Sequence, residues 1–163
     1  MPFRVGMGVD IHRFEQDSAD DQYIYLCGVK IAHVYKVIAH SDGDVALHAL
    51  TDALLGCIGA GGIGSHFPSS DSRWEGVSSS HFVLEAYKMV VERSYSILNF
   101  DITIVCEEPK ITPHVPIMKQ HMHGLLGVDI SRMNIKAVTT ETLGFLGRKE
   151  GIAAYAVALC NKV

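Results

Sequence analysis

Three side chains in the first third of the sequence have the chemistry to bind a metal ion together. Asp10 and His12 are two positions apart at the end of a predicted strand, so their side chains point the same way. His48 lies in the middle of a predicted helix. One carboxylate and two imidazoles leave a fourth position open on a tetrahedral ion, which is the arrangement of a catalytic zinc site. The pattern alone leaves two alternatives open, because an Asp-x-His pair is often only hydrogen-bonded and a helical histidine among apolar residues is often a core residue.

Two features beside this helix could assist such a site. Asp52 follows His48 by one helical turn and could accept the hydrogen of the other ring nitrogen, although a solvated acidic residue explains it equally well. The segment from His40 to Asp44 precedes the helix N-terminus, where the helix dipole and free N–H groups favour an anion such as phosphate. An ordinary N-cap turn accounts for this segment except for His40.

Two later segments offer ligands for phosphate and cations. Lys110 follows the clearest predicted strand and could meet a phosphate group. Thr139, Thr140 and Glu141 end another strand, and they offer hydroxyls and a hard carboxylate of the kind that magnesium prefers. A solvated loop lysine and exposed strand threonines are the alternative explanations.

The composition places these residues in one globular domain spanning residues 1–163. The chain has 14 Lys and Arg against 18 Asp and Glu, a formal net charge of −4, and 48% hydrophobic residues, enough for a substantial core. The slight acidic excess argues against nucleic acid or an anionic membrane as the main partner, because both need dense positive charge. The four cysteines form no C-x-x-C pair, and no signal peptide or membrane-spanning run is visible. We therefore expect buried thiols and a cytoplasmic protein.

Hydrophobic periodicity predicts the elements that must position the candidate residues. The predicted strands cover residues 3–10, 23–31, 98–106, 133–137 and 152–159, and the predicted helices cover 44–55, 79–95 and 112–126. Ser41 followed by Asp44 predicts a capping box, Gly56 predicts the end of the first helix, and residues 59–77 are expected to form a long loop. Strands and helices mix without strict alternation, which favours an α+β fold with a single mixed β-sheet and helices packed on one face.

Five segments, in order along the chain, resemble those of the 2-C-methyl-D-erythritol 2,4-cyclodiphosphate synthases. They are G-x-D-x-H at 8–12, H-S-D-G-D-V-A-L-H-A-L-T-D-A-L-L-G at 40–56, F-P-x-x-D at 67–71, P-K-x-x-P-H-x-P-x-M at 109–118 and T-T-E-x-L-G-F-x-G-R-x-E-G-I-A at 139–153. The resemblance extends from Val5 nearly to Val163. It implies an enzyme of non-mevalonate isoprenoid biosynthesis that assembles as a homotrimer with sites between subunits.

The resemblance also implies a reaction and its metal ions. The expected enzyme is a phosphorus–oxygen lyase that cyclises 4-diphosphocytidyl-2-C-methyl-D-erythritol 2-phosphate: the 2-phosphate attacks the β-phosphorus and CMP leaves. Both reacting groups are anionic, so cations and oriented donors would screen their repulsion. The implied ligands and catalytic residues are Asp10, His12 and His48 for zinc, Glu141 for a second divalent ion (magnesium or manganese), and His40 and Thr139 for the transition state.

The substrate contacts that the resemblance implies come from several segments. The backbone of residues 106–112 would read cytosine, with Lys110 on the nucleotide phosphates, and residues 62–64 and 67–71 would surround the methylerythritol or ribose. Arg148 would face the central cavity of the trimer and bind a diphosphate there. The full set is Asp10, Ile11, His12, His40, Ser41, Gly62, Ile63, Gly64, Phe67, Pro68, Ser69, Ser70, Asp71, Cys106, Glu107, Glu108, Pro109, Lys110, Ile111, Thr112, Val138, Thr139, Thr140, Glu141, Phe145 and Arg148.

Three positions depart from the family pattern. Gly62 and Ser69 stand where aspartates are usual, and Val138 replaces the first threonine of a T-T-T-E run. None of them is a zinc ligand, so activity is still expected. Two alternatives stay open: a zinc-dependent phosphohydrolase that uses the same ligands to activate water, and a non-catalytic trimeric module that binds a nucleotide or isoprenyl diphosphate around structural zinc.

Overall fold

Seven β-strands and five α-helices form within residues 1–17 and 22–163, the part of the chain that the computed structural model describes. The strands are β1 (Phe3–Glu15), β2 (Tyr23–Leu26), β3 (Val29–Ala32), β4 (Lys36–Val37), β5 (Tyr95–Val105), β6 (Met133–Val138) and β7 (Gly151–Lys162). The helices are α1 (Val45–Cys57), α2 (Ile63–His66), α3 (Ser79–Glu92), α4 (Val115–Leu126) and α5 (Gly144–Gly147). Single 3-10 turns lie at Ser72–Trp74, Thr112–His114 and Ile130–Arg132.

Five of the strands form one mixed sheet in the order β4-β1-β7-β5-β6. β1 and β5 both pair antiparallel with β7, whereas β5 and β6 are parallel. The predicted α+β fold with a mixed sheet is confirmed. The sheet is not single, however, because β2 and β3 form a separate hairpin where the sequence predicted one strand from Tyr23 to Ile31. The chain reverses at Cys27 and Gly28, whose φ angles are 49° and 76°.

Two glycines let α1 lie directly on β1. A Cβ atom at Gly6 would stand 1.8 Å from the carbonyl oxygen of Ala53, and one at Gly8 would stand 1.9 Å from that of Ala49. Any larger residue would push the helix away from the strand. Since side chains alternate along a strand, the even-numbered residues that follow Gly8 face the same helix.

The carboxylate of Asp44 fixes where α1 begins. It accepts hydrogen bonds from the N–H groups of Leu47, Cys27 and Gly28, at 3.0, 3.1 and 2.6 Å. Asp44 is therefore the N-cap, and the predicted capping box starting at Ser41 is wrong. The side chain is fully buried, and burial raises the pKa of Asp44 although the N–H groups of Gly28 and Leu47 act in the opposite direction.

Several element boundaries differ from the predictions. α1 continues two residues past its predicted end, to Cys57. α3 stops at Glu92 because the chain turns at Ser94, whose φ is 61°, so Tyr95 begins β5 instead of ending the helix. The predicted long loop contains α2 and a 3-10 turn. The predicted end of α4 at Gly127 and the strand character of β7 are confirmed.

The core lies between the sheet and the helices. α1 packs on β1 and β7, α3 packs on α1 and β5, and α4 packs on β6. All four cysteines are buried with free thiols, as expected. Within the described ranges, none of the helices has both the length and the apolar character needed to cross a membrane.

The opposite face of the sheet exposes apolar side chains to solvent. We call Phe3, Val5, Met7, Val9 and Ile11 of β1 and Tyr155 and Val157 of β7 the apolar sheet face; each of these residues is 40–65% exposed. The apolar side of β1 points away from the core because glycines occupy the other side and admit α1. A contiguous exposed apolar surface of this kind is typical of an interaction site.

Candidate active site

Asp10, His12 and His48 meet where β1 and α1 are in contact. Oδ2 of Asp10 lies 3.0 Å from Nε2 of His12 and 3.0 Å from Nδ1 of His48, and these two nitrogens are 3.1 Å apart. One ligand atom from each residue lies within 4.8 Å of the others, so the three could hold one metal ion. One carboxylate and two imidazoles form a donor set that zinc accepts with a fourth position open. The predicted clustering of these three side chains is confirmed.

The two histidines keep Asp10 in the form that binds a cation. Burial raises the pKa of Asp10, but the neighbouring His12 and His48 side chains outweigh burial and hold that pKa well below the ordinary aspartate value. Metal ligands must be deprotonated, so an ionised carboxylate is ready to bind. The Asp10 side chain is 28% exposed, which leaves the cluster open to a ligand.

The second ring nitrogen of His48 faces the start of α3. Its Nε2 lies 2.8 Å from the hydroxyl of Ser79 and 3.1 Å from the hydroxyl of Ser41. The Ser79 hydroxyl donates in turn to one oxygen of the Asp42 carboxylate. The other Asp42 oxygen accepts the backbone N–H of Ser79 at 2.9 Å. Sequence patterns do not point to Ser79, because it lies 31 residues from His48 along the chain.

Asp52 is not hydrogen-bonded to His48, although their helical spacing suggested it. The free nitrogen of His48 points toward α3, whereas Oδ1 of Asp52 accepts the N–H of Ile63 at 2.6 Å, where α2 begins. A Cβ atom at Gly62 would lie 3.2 Å from the same oxygen. Burial raises the pKa of Asp52, and the Ile63 hydrogen bond partly offsets this. Asp52 thus anchors the segment that carries predicted substrate residues 62–64.

A cavity of about 270 Å³ opens beside the metal ligands. One wall is aromatic: the rings of Phe67, Trp74 and Phe82 have centroids 4.8 to 6.0 Å apart, and Phe82 lies 5.9 Å from the ring of His48. Sequence reasoning missed Trp74 and Phe82, although a lone tryptophan in a long loop was a visible signal. The predicted residues that line this cavity with the metal ligands are His40, Ser41, Ile63, Gly64, Phe67 and Ser69.

Comparison with known proteins identifies the family. The model of the YgbB family matches residues 3–161. The chain belongs to the YgbB family. Over its whole length it is 66% identical to the 2-C-methyl-D-erythritol 2,4-cyclodiphosphate synthase of Anaplasma phagocytophilum (strain HZ), and it covers 97% of that protein.

Solved structures of other proteins share the fold of this YgbB-family chain. It is similar to the CDP complex of IspF from Plasmodium falciparum, with a TM-score of 0.86 and 31% identity over 99% of this chain and 97% of that one. It is also similar to the bifunctional IspDF from Campylobacter jejuni, with a TM-score of 0.91 and 36% identity over 99% of this chain and 42% of that one.

A second group of predicted residues in this YgbB-family chain lies just beyond the ends of β5 and β6. The two strands are parallel and paired to their last residues, so the segments that follow them come together. Glu107 accepts hydrogen bonds from the N–H and hydroxyl of Thr140 at 2.9 and 3.0 Å. These donors, the N–H first, lower the pKa of Glu107. The hydroxyl of Thr139 donates to Glu141 at 3.0 Å.

Within one chain the second group is separated from the metal ligands. Asp10 of β1 pairs with Ala154 of β7, Ala154 pairs with Ile104 of β5, and Ile104 pairs with Ala137 of β6. Three strand spacings, roughly 14 Å, therefore lie between Asp10 and the strand that leads to Glu141. The cavity lining includes none of the residues 106–112 or 138–141.

The other predicted residues are on or near the surface, apart from the buried Cys106 and Ile111. Asp71 is paired with Arg73, and Arg148 with Glu150, both at 2.6 Å. Burial raises the pKa of the Cys106 thiol to about 12, so it stays protonated. Solvent also reaches Ile11, Pro68, Ser70, Glu108, Lys110, Thr112, Val138 and Phe145.

Proposed function

We propose that the chain is a 2-C-methyl-D-erythritol 2,4-cyclodiphosphate synthase. It would cyclise 4-diphosphocytidyl-2-C-methyl-D-erythritol 2-phosphate by attack of the 2-phosphate on the β-phosphorus, with release of CMP. This is a phosphorus–oxygen lyase reaction of non-mevalonate isoprenoid biosynthesis. The observation that carries the proposal is the cluster of Asp10, His12 and His48 beside a cavity. The full-length identity of 66% to a synthase of that name supports it.

Asp10, His12 and His48 would hold zinc. The fit rests on the donor set, on its compactness and on the ionised state of Asp10. When bound, zinc would supply positive charge to a phosphate oxygen as a Lewis acid. The protein's own contribution is to hold the three ligands together before the substrate arrives.

His40 and Thr139 would stabilise the transition state. The phosphates that must meet repel each other, so donors that are oriented in advance lower the barrier. His40 is exposed and lines the cavity, where its ring can reach a bound phosphate. Ser41 also lines the cavity, 3.1 Å from Nε2 of His48, and its hydroxyl can donate to a phosphate oxygen.

Glu141 would ligate a second divalent ion, magnesium or manganese. Its carboxylate is exposed on a turn where Glu141 and Thr142 have φ angles of 54° and 64°. Glu107 braces this turn through the N–H groups of Thr140 and Thr142. A single exposed carboxylate suits magnesium, which usually keeps several of its water ligands.

The cytidine diphosphate part of the substrate would bind at residues 106–112. The relative from Plasmodium falciparum is a CDP complex, and the shared fold supports the same ligand here. Lys110 is exposed and could neutralise nucleotide phosphates. Residues 62–64 and 67–71 would surround the methylerythritol or ribose, with Phe67 at the aromatic wall.

Three copies of the chain would assemble through the apolar sheet face, which removes its side chains from water. A neighbouring copy would then bring its residues 106–112 and 138–141 to the cavity. The same residues of the chain that forms the cavity do not line it. Arg148 would face the central cavity of the trimer and bind a diphosphate. With a net charge of −4, the protein would work in the cytoplasm without a nucleic acid or membrane partner.

Phosphorus NMR of the purified protein with substrate and magnesium tests the reaction. Wild type should yield the cyclic diphosphate and CMP, and His48→Ala should yield neither. Linear hydrolysis products would favour a zinc-dependent phosphohydrolase. Untouched substrate with a folded, zinc-loaded trimer would favour a module that only binds nucleotide or isoprenyl diphosphate.

Two measurements assign the ions separately. Elemental analysis should find about one zinc per chain, and Asp10→Asn combined with His48→Ala should lose it. Glu141→Gln should keep its zinc but need much more magnesium for turnover. An unchanged magnesium titration would remove Glu141 from the second site.

A further inference from the structure

We propose that Ser79 and Asp42 are positioning residues that fix which nitrogen of His48 is available to a metal ion. The inference rests on the metal centre of the proposed function. Ser79 is the first residue of α3 and is wholly buried. Its hydroxyl oxygen lies 2.8 Å from Nε2 of His48 and also donates to the Asp42 carboxylate.

The hydrogen of the Ser79 hydroxyl is committed to Asp42. An ionised carboxylate can only accept hydrogen bonds. The two Asp42 oxygens already accept the N–H of Ser79 at 2.9 Å and that of Asp44 at 3.2 Å, and the Ser79 hydroxyl is the third donor. The serine oxygen therefore has only lone pairs left for His48, so Nε2 of His48 must carry the hydrogen.

The position of that hydrogen decides the metal-binding ability of the ring. A neutral imidazole has one N–H group, so a hydrogen on Nε2 leaves a lone pair on Nδ1. Nδ1 is the nitrogen that faces the other two ligands, 3.0 Å from Asp10 and 3.1 Å from His12. The Asp42–Ser79 pair thus turns His48 into a ligand before any ion arrives.

Removing the Ser79 hydroxyl lets the hydrogen move to the other nitrogen. On Nδ1 it would be donated to Asp10 at 3.0 Å, and a metal ion would have to break that bond and displace the hydrogen. Ser41 cannot prevent this, although its hydroxyl is 3.1 Å from Nε2. Its own hydrogen is not held by a carboxylate, so Ser41 can donate to Nε2 or accept from it.

Zinc affinity of the metal-free protein, measured by competition with a coloured chelator, tests the role of Ser79. We expect Ser79→Ala to bind zinc about 10- to 100-fold more weakly than wild type. Ser79→Thr keeps the hydroxyl and should restore most of the affinity. Ser80→Ala is the matched control one residue further along α3, and its affinity should equal that of wild type. Equal affinities for Ser79→Ala and Ser80→Ala would overturn the inference.

Nitrogen-15 NMR of the imidazoles in the metal-free protein, at a pH where they are neutral, tests the mechanism without a variant. We expect His48 to carry its hydrogen on Nε2 in wild type and to populate the Nδ1–H form in Ser79→Ala. Wild type with the hydrogen on Nδ1 would refute this inference and leave the metal centre intact. If wild type took up no zinc, the proposed metal centre would fail, and the tautomer of His48 would still decide the inference.

Discussion

Replacing Gly8 by alanine should disrupt the metal ligands without changing any of them. The new Cβ atom would stand 1.9 Å from the carbonyl oxygen of Ala49, where ordinary contact begins at 3.4 Å. The difference is 3.4 − 1.9 = 1.5 Å, and backbone atoms on both sides cannot simply rotate away, so α1 must move from β1 by about that distance. His48 precedes Ala49 on α1 and would be carried away from Asp10, which now lies 3.0 Å from its Nδ1.

A shift of this size exceeds what a metal site tolerates. Ligand distances in a working site vary by about 0.2 Å, and a misplacement of about 1 Å can cost roughly 100-fold in rate. Overpacking a core also costs about 1 to 3 kcal/mol of stability. We therefore expect Gly8→Ala to lower the free energy of unfolding by about 2 kcal/mol and to lower zinc affinity by about 100-fold or more.

Urea denaturation and zinc competition measure the two effects, and two other glycines serve as comparisons. Gly124→Ala, with open space around its Cβ position on α4, should be stabilised by about 0.5 to 1 kcal/mol and should keep its zinc. In Gly6→Ala the new Cβ atom would clash with α1 at Ala53, farther from His48. This variant should lose as much stability as Gly8→Ala but should lose less zinc affinity. If Gly8→Ala behaves like Gly124→Ala, the close approach of α1 does not position the ligands.

Asp52→Ala removes the acceptor of the Ile63 N–H and should cost about 1 to 3 kcal/mol of stability. Asp52→Asn keeps an oxygen atom as acceptor and should cost less. Equal losses of stability in urea denaturation would contradict the anchoring role of Asp52. Met7→Lys changes a residue that is 61% exposed on the apolar sheet face, and the variant should be folded but monomeric in analytical ultracentrifugation. The control Leu84→Lys on α3 should remain assembled. A trimer of the Met7→Lys variant would exclude this face as the interface. Burial lowers the pKa of His33 below its ordinary 6.5, so the unfolded chain binds a proton that the folded chain does not, and stability should fall as pH decreases through 6.5. His33→Phe keeps the aromatic contact with Phe14 and should reduce that fall in thermal unfolding, so identical pH slopes would refute the assignment.

The clustering of Asp10, His12 and His48 could be predicted partly from local patterns and partly from the resemblance to a known family. Asp10 and His12 share a side of a strand through its period of two, and His48 belongs to a strongly patterned helix. The side of β1 that faces the helix could not be predicted in this way. An alternating pattern defines two sides of a strand but does not say which one is buried. Gly6 and Gly8 decide it, since only they allow α1 to approach.

The partners of the ligands could not be predicted because they depend on tertiary packing. Helical spacing places Asp52 near His48, but the direction in which the free ring nitrogen points is set by α3, which supplies Ser79. The β2–β3 hairpin was missed for a related reason. Its turn places Cys27 at a positive φ, which is uncommon for a residue other than glycine, so the apolar run predicts a single strand.

The position of β7 has a consequence for the order in which the molecule folds. β7 is the last of the described elements, yet it lies in the middle of the five-stranded sheet and pairs with β1, the first, over residues 3–13. Contacts between such distant parts of a chain form slowly, because a long loop must close before they give any stabilisation. During synthesis the pairing of β1 with β7 must wait until β7 emerges. Asp10 and His12 lie on β1 and therefore reach their final geometry late in folding. Metal uptake should then follow the completion of folding and should not initiate it.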